Sequence, residues 1–163
     1  MLYKQGITRG SQALRQGRVS IPNQIYLITT VTKERQPLFN KLINARTVIN
    51  VMKDMYECKK VNSLAFVIMP DHVHWLLQLN HTYPLDQVMK QFKGRTSRLL
   101  NIENQNRGVI WQQGYHDRAI RKDEEIKSVA RYLVANPLRA GIIDKIENYS
   151  HWDAIWLDGS SGH

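Results

Sequence analysis

The chain is poor in cysteine, with Cys58 as its single example. A disulfide framework within the chain and a cysteine-rich zinc module are therefore both excluded. Any metal would have to be held by His, Asn, Gln, Asp or Glu. Acidic residues are also scarce, 14 against 23 Lys and Arg, for a formal net charge of +9. No apolar run approaches the roughly 20 residues that cross a bilayer. The opening stretch "MLYKQGITRGSQALRQGR" is basic and polar, unlike a secretory leader. These absences lead us to expect a cytoplasmic chain with no membrane span. What remains is a 163-residue sequence that is 42% hydrophobic, enough for one domain with a core. A sequence pI near 9.8 points to a polyanionic partner, usually nucleic acid. The bland alternative is a small enzyme with a solvated cationic face.

The local patterns order themselves simply. "NQIYLITTVT" (23–32) is rich in β-branched residues and predicts a strand. In 44–60, Val48, Val51, Met52 and Met55 fall at helical spacing. "SLAFVIM" (63–69) and "HVHWLLQL" (72–79) predict two strands joined by the Pro70–Asp71 turn, hence antiparallel neighbours. Residues 83–103 predict a helix with both apolar and basic residues, and 109–121 contain the last strand. Asp123 is expected to cap a final helix running through "IKSVARYLVANP" and stopping near Gly141. The order β-α-β-β-α-β-α predicts an α+β, ferredoxin-like antiparallel sheet with helices on one face. We expect a single domain over 1–163, a flexible basic arm over about 1–20, and a packed tail over about 144–163.

Two features stand out chemically. In "VIMPDHVHWLLQL" (67–79), His72 and His74 are two apart on a strand and so share one face. Paired imidazoles can ligate a metal, or can simply line an open sheet face. On the last helix, Ile126, Val129, Ala130 and Leu133 form an apolar stripe, with Tyr132 and Asn136 one turn apart at its edge. These two can serve as a reactive phenol and a carbonyl donor. Equally, they can be a packing tyrosine and a helix-ending asparagine before Pro137.

Together, "VIMPDHVHWLLQL", "KQFKGRTSRLLN", "IWQQGYHDRAIR" and "YLVANPLRAGII", with the opening "YLITTVTKERQPLF", resemble the single-tyrosine HUH transposases, where U is an apolar residue. More narrowly, the sequence is similar to the REP-associated tyrosine transposases of bacteria, over residues 24 to about 143. The resemblance implies that His72 and His74 bind Mg²⁺ or Mn²⁺ and that Tyr132 is the nucleophile. It places Asn136 where many relatives carry a glutamine that completes the metal site. Asparagine is one methylene shorter, so water or another side chain is an open alternative. The implied reaction is cleavage and rejoining of single-stranded DNA through a 5′-phosphotyrosine link, at hairpins of repetitive extragenic palindromes, by a chain working as a monomer.

Lys90, Lys93, Arg95 and Arg98 lie on one predicted helix, with Gly94 allowing close backbone approach, and Arg118 and Arg121 lie near the last helix. These six are the candidate DNA contacts. Tyr115, beside His116, is a rival nucleophile. Two other functions stay open: a non-catalytic nucleic-acid-binding domain, and a metal-dependent nuclease in which His72, His74 and His116 activate water.

Overall fold

The computed structural model describes residues 21–141 and 151–154. Its frame is a five-stranded, wholly antiparallel sheet. The strands are β1 (Ile25–Val31), β2 (Asn62–Met69), β3 (His72–Gln78), β4 (His116–Ile120) and β5 (Trp152–Ala154), in the order β4-β1-β3-β2-β5. The first four make the ferredoxin-like arrangement expected from the sequence. β5 adds to the β2 edge, pairing Val67 with Trp152 and Ala65 with Ala154. The helices are α1 (Leu42–Glu57), α2 (Leu85–Glu103), α3 (Asp123–Val134) and the short α4 (Asn136–Arg139). Among the described residues, no helix is long and apolar enough to cross a membrane. The expected basic arm lies outside the described residues, as does the expected tail apart from 151–154.

Period-two alternation sorts the strand residues onto two faces. Tyr26, Ile28, Val73, Trp75 and Leu77 point to one face and pack with Val48, Met52 and Met55 of α1 and Val88, Met89 and Phe92 of α2. That layer carries a run of rings. Trp75 lies 5.3 Å from Phe92, Phe92 5.8 Å from Trp111, and Trp111 5.7 Å from Phe39, centroid to centroid. The buried indole N–H groups are satisfied: Trp75 donates to Ser63 Oγ and Trp111 to Thr96 Oγ1, each at 2.9 Å. An unpaired buried N–H would cost about 1–3 kcal/mol.

The opposite face has its own, smaller cluster. Ile126, Val129, Ala130, Leu133 and Val134 of α3 pack on Ala65, Val67, Leu76 and Ile120. The expectation of helices on one face thus holds for α1 and α2, whereas α3 crosses the other face. Its predicted stripe is the buried one. Two local expectations are corrected. Lys122, in extended conformation, is the N-cap of α3 and makes no side-chain cap bond; Asp123 is already helical. The helix also does not run unbroken to Gly141. Pro137 has no N–H to give to the carbonyl four residues back, so the chain ends α3 at Val134 and restarts as α4.

Candidate active site

The β2–β3 hairpin sets the histidines. Its Pro70–Asp71 turn is pinned from outside: the Thr32 amide and hydroxyl both donate to the Asp71 carbonyl, at 2.9 and 3.0 Å, and the Phe39 amide donates to that of Pro70 at 3.0 Å. Thr32 is fully buried, so these bonds are shielded from water. The register then pairs His72 with Val31 and Met69, and His74 with Thr29 and Val67. The two imidazoles stand 4.8 Å apart, edge to face, half-buried on the α3 side of the sheet.

Each ring is held through the same atom. His72 Nδ1 lies 2.7 Å from Asp71 Oδ1, and Arg35 in turn holds Asp71 Oδ2 at 3.1 Å. His74 Nδ1 lies 2.9 Å from Thr29 Oγ1. Each Nδ1 is thereby engaged, which leaves Nε2 of each ring for a further partner. Burial, aided by the charges of His72 and Arg139, pushes the pKa of His74 down to about 4. Its imidazole is therefore neutral and its lone pair available near neutral pH. Asp71 is raised by burial, but hydrogen bonds from His72 and Arg35 outweigh this and hold it below the ordinary carboxylate value.

Tyr132 lies on the helix that covers this same face. Its side chain is 59% exposed. Its ring is covered by a guanidinium and not by the sheet: Arg139 Cζ sits 3.4 Å from the ring centroid, a close cation–π contact. The same guanidinium donates to Asn136 Oδ1. Arg139 therefore joins Tyr132 to Asn136 although the two lie on separate helices, and its charge reaches His74.

The donor set fits a divalent cation in part. His72 and His74, each oriented through its Nδ1 contact, supply two imidazole nitrogens. Among the described residues there is no group of three or more His, Cys, Asp or Glu side chains that could hold a metal. Further ligands would have to be oxygens, from Asn136 after Arg139 lets go of it, from water or from DNA.

The cationic candidates divide. α2 packs on the face away from the histidines. Lys93 is committed to the fold, donating from Nζ at 2.8 Å to the carbonyls of both Gln112 and Gly114. Arg95 pairs with Asp54 at 2.7 Å. Lys90 and Arg98 are exposed on α2, and Arg121 is exposed beyond β4. Arg118 alone of the six is placed by strand register on the histidine face, paired loosely with Glu125 at 3.8 Å. Tyr115 packs toward the α1/α2 layer and donates its hydroxyl to Asp86 Oδ1 at 2.5 Å. Thr29 and Arg139 went unassigned in the sequence. Asp71 was read only as a turn residue, although its position directly before His72 was the available signal.

Residues 20–136 match the family described as transposase, IS200 like. A curated protein of Haemophilus influenzae, provisionally named a REP-associated tyrosine transposase, is 23% identical over 141 residues, covering 78% of this chain and 77% of that one. Among solved structures, a REP-associated tyrosine transposase bound to a REP hairpin aligns with a TM-score of 0.70 at 19% identity, over 89% of this chain and 84% of that one. A provisionally named transposase from Deinococcus radiodurans aligns with a TM-score of 0.53 at 20% identity, over 71% and 92%. Four of the five motif stretches that carried the sequence resemblance lie within the matched region and "YLVANPLRAGII" enters it as far as Asn136, and the chain belongs to the IS200-like transposases, a family of DNA-cleaving enzymes.

Proposed function

We propose that this chain cuts and rejoins single-stranded DNA beside hairpins of the REP type, with Tyr132 as nucleophile. The observation that carries this reading is the guanidinium of Arg139, lying on the Tyr132 ring, bonded to Asn136 and felt by His74. One cationic group ties the phenol to the face that holds the imidazole pair. A phenol is ordinarily protonated near neutral pH. Its exposure leaves the oxygen open to substrate.

The chain's residues then have distinct tasks. Tyr132 Oη attacks the scissile phosphorus, forming a 5′-phosphotyrosine and releasing a 3′-hydroxyl. Because the phosphoester bond is exchanged and not hydrolysed, that hydroxyl can later reverse the step without ATP. His72 and His74 would hold Mg²⁺ or Mn²⁺ through Nε2, aided by Asn136, and the ion's part is to stabilise charge at the scissile phosphate. Asp71 and Thr29 keep both rings turned for that task. Lys90, Arg98, Arg118 and Arg121 supply exposed charge for the DNA backbone, and Lys93 and Arg95 support the frame behind it. Imidazole nitrogen suits Mn²⁺ better than Mg²⁺, so Mn²⁺ is expected to support at least equal activity. The reading is of a monomeric, cytoplasmic enzyme.

A labelled hairpin DNA with a single-stranded flank, incubated with the protein and Mn²⁺ and run on a denaturing gel, tests this. The expected result is a shifted covalent band that Tyr132→Phe abolishes and Tyr115→Phe leaves in place. Cleavage without a shifted band would favour the nuclease that activates water. Retention of DNA without cleavage would favour a binding domain.

A further inference from the structure

His116, in "GYHDR", has no task in the mechanism above. Tyr115 points to the α1/α2 layer, its hydroxyl taken by Asp86. His116 begins β4, where the register sets it opposite Thr29, and Thr29 is itself opposite His74. His116, Thr29 and His74 therefore form one row across the sheet, all on the α3 side. Adjacent strands lie about 4.7–4.9 Å apart, so the His116 and His74 backbones are separated by about 10 Å. Only the short side chain of Thr29 stands between them, bent toward His74 Nδ1. His116 is exposed.

The placement of Tyr132 gives this row a direction. The sheet order is β4-β1-β3-β2-β5. α3 leaves the end of β4 and crosses to pack on β2 and β5. Its C-terminal part, with Tyr132, is followed by Arg139, whose charge reaches His74. The helix that carries Tyr132 thus covers the β2 side of this face, and His116 stands on the β4 side. In an in-line displacement at phosphorus, the attacking and leaving oxygens lie on opposite sides. A residue that serves the leaving oxygen must therefore stand across the site from the nucleophile.

Resting on the function proposed above, we infer that His116 is the general acid for the departing 3′-oxygen and the general base for its return. In cleavage the Tyr132 Oη–P bond forms and the P–O3′ bond breaks. The phenolic proton passes to solvent, and the imidazolium of His116 gives its proton to O3′. In rejoining, the 3′-hydroxyl gives that proton back to His116 as O3′ attacks phosphorus, and the departing tyrosine oxygen takes a proton from solvent. Imidazole suits both directions because its ordinary pKa lies near neutrality. Arg118, two residues on along the same strand and so on the same face, is placed to hold the adjacent DNA backbone.

The test compares His116→Gln with wild-type protein on two hairpin substrates in Mn²⁺. One substrate has the normal scissile phosphodiester; in the other the bridging 3′-oxygen is replaced by sulfur, which departs as a thiolate without needing a proton. Hairpin binding by each protein is measured in parallel. The expected result is a loss of about 100-fold or more in adduct formation on the oxygen substrate. On the sulfur substrate the rate should return to near wild type, with hairpin binding unchanged. Equal rates of variant and wild type on the oxygen substrate would overturn the inference. So would an equal defect on both substrates, which is the mark of a structural or binding role. A wild-type protein that forms no adduct on either substrate would remove the assignment of Tyr132, and this inference with it.

Discussion

The two faces of β3 differ in how completely they are closed. Val73, Trp75 and Leu77 face α1 and α2 and are no more than 2% exposed. His72, His74 and Gln78 face α3 and remain half-buried, with only Leu76 among them sealed. One layer is continuous, filled with interlocked rings and fully bonded indoles. The other is closed where α3 crosses and open where the imidazoles stand. The frame thus draws its stability from one face and can leave polar, partly desolvated groups on the other.

The largest effect that would break this contrast comes from the closed layer. Trp75→Ala should cost about 3–5 kcal/mol of stability, since it opens a cavity beneath Phe92 and removes a buried hydrogen bond; urea unfolding measures it. His72→Ala should move the unfolding midpoint far less while abolishing the covalent adduct. If the two variants were equally unstable, the division between a stabilising face and a working face would be wrong.

Next in size are the groups that orient the imidazoles. Thr29→Val and Asp71→Asn should each weaken Mn²⁺ binding by about 10–100-fold with the fold intact. Titration of Mn²⁺ followed by paramagnetic broadening of the histidine ring signals would show it. Unchanged affinity would mean that the Nδ1 contacts do not fix the rings for a metal.

A smaller effect concerns pH. The His74 pKa is lowered from 6.5 to about 4 in the folded chain. Between those values the unfolded chain binds a proton that the folded chain refuses. Stability should therefore fall as pH drops from about 6.5 to about 4, and His74→Gln should flatten that slope. Denaturant midpoints measured across this range give the answer, and an unchanged slope would refute it.

The smallest expected effect sharpens the comparison on the exposed side of α2. A Cβ added at Gly94 meets nothing within 4 Å, so no packing demands glycine there. Gly94→Ala should stabilise the helix by roughly 0.5–1 kcal/mol. If DNA backbone approaches this helix closely, as its neighbours Lys90 and Arg98 suggest, the same change should weaken hairpin binding. Stabilisation with full binding would place the DNA elsewhere.

The pattern of legibility follows from physical range. Alternation and helical spacing revealed the β2–β3 hairpin, the shared face of His72 and His74 and the buried stripe of α3, because each is set by neighbours a few residues away. The end of α3 was misjudged because the missing N–H of Pro137 outweighed the continuing apolar pattern. Lys93 read as a phosphate contact because nothing in its helix shows the carbonyls of Gln112 and Gly114, about twenty residues away, that take up its charge.

Composition and local periodicity by themselves determined a basic α+β domain with paired imidazoles on one strand face and a phenol beside an apolar helical stripe. Only the tertiary structure decided which face α3 covers, that Thr29 holds the His74 ring, and that His116 stands in one row with them. Those outcomes depend on strand register and on the helix crossing the sheet, which bring together groups 40 to 100 residues apart in sequence. No rule of local spacing carries that information.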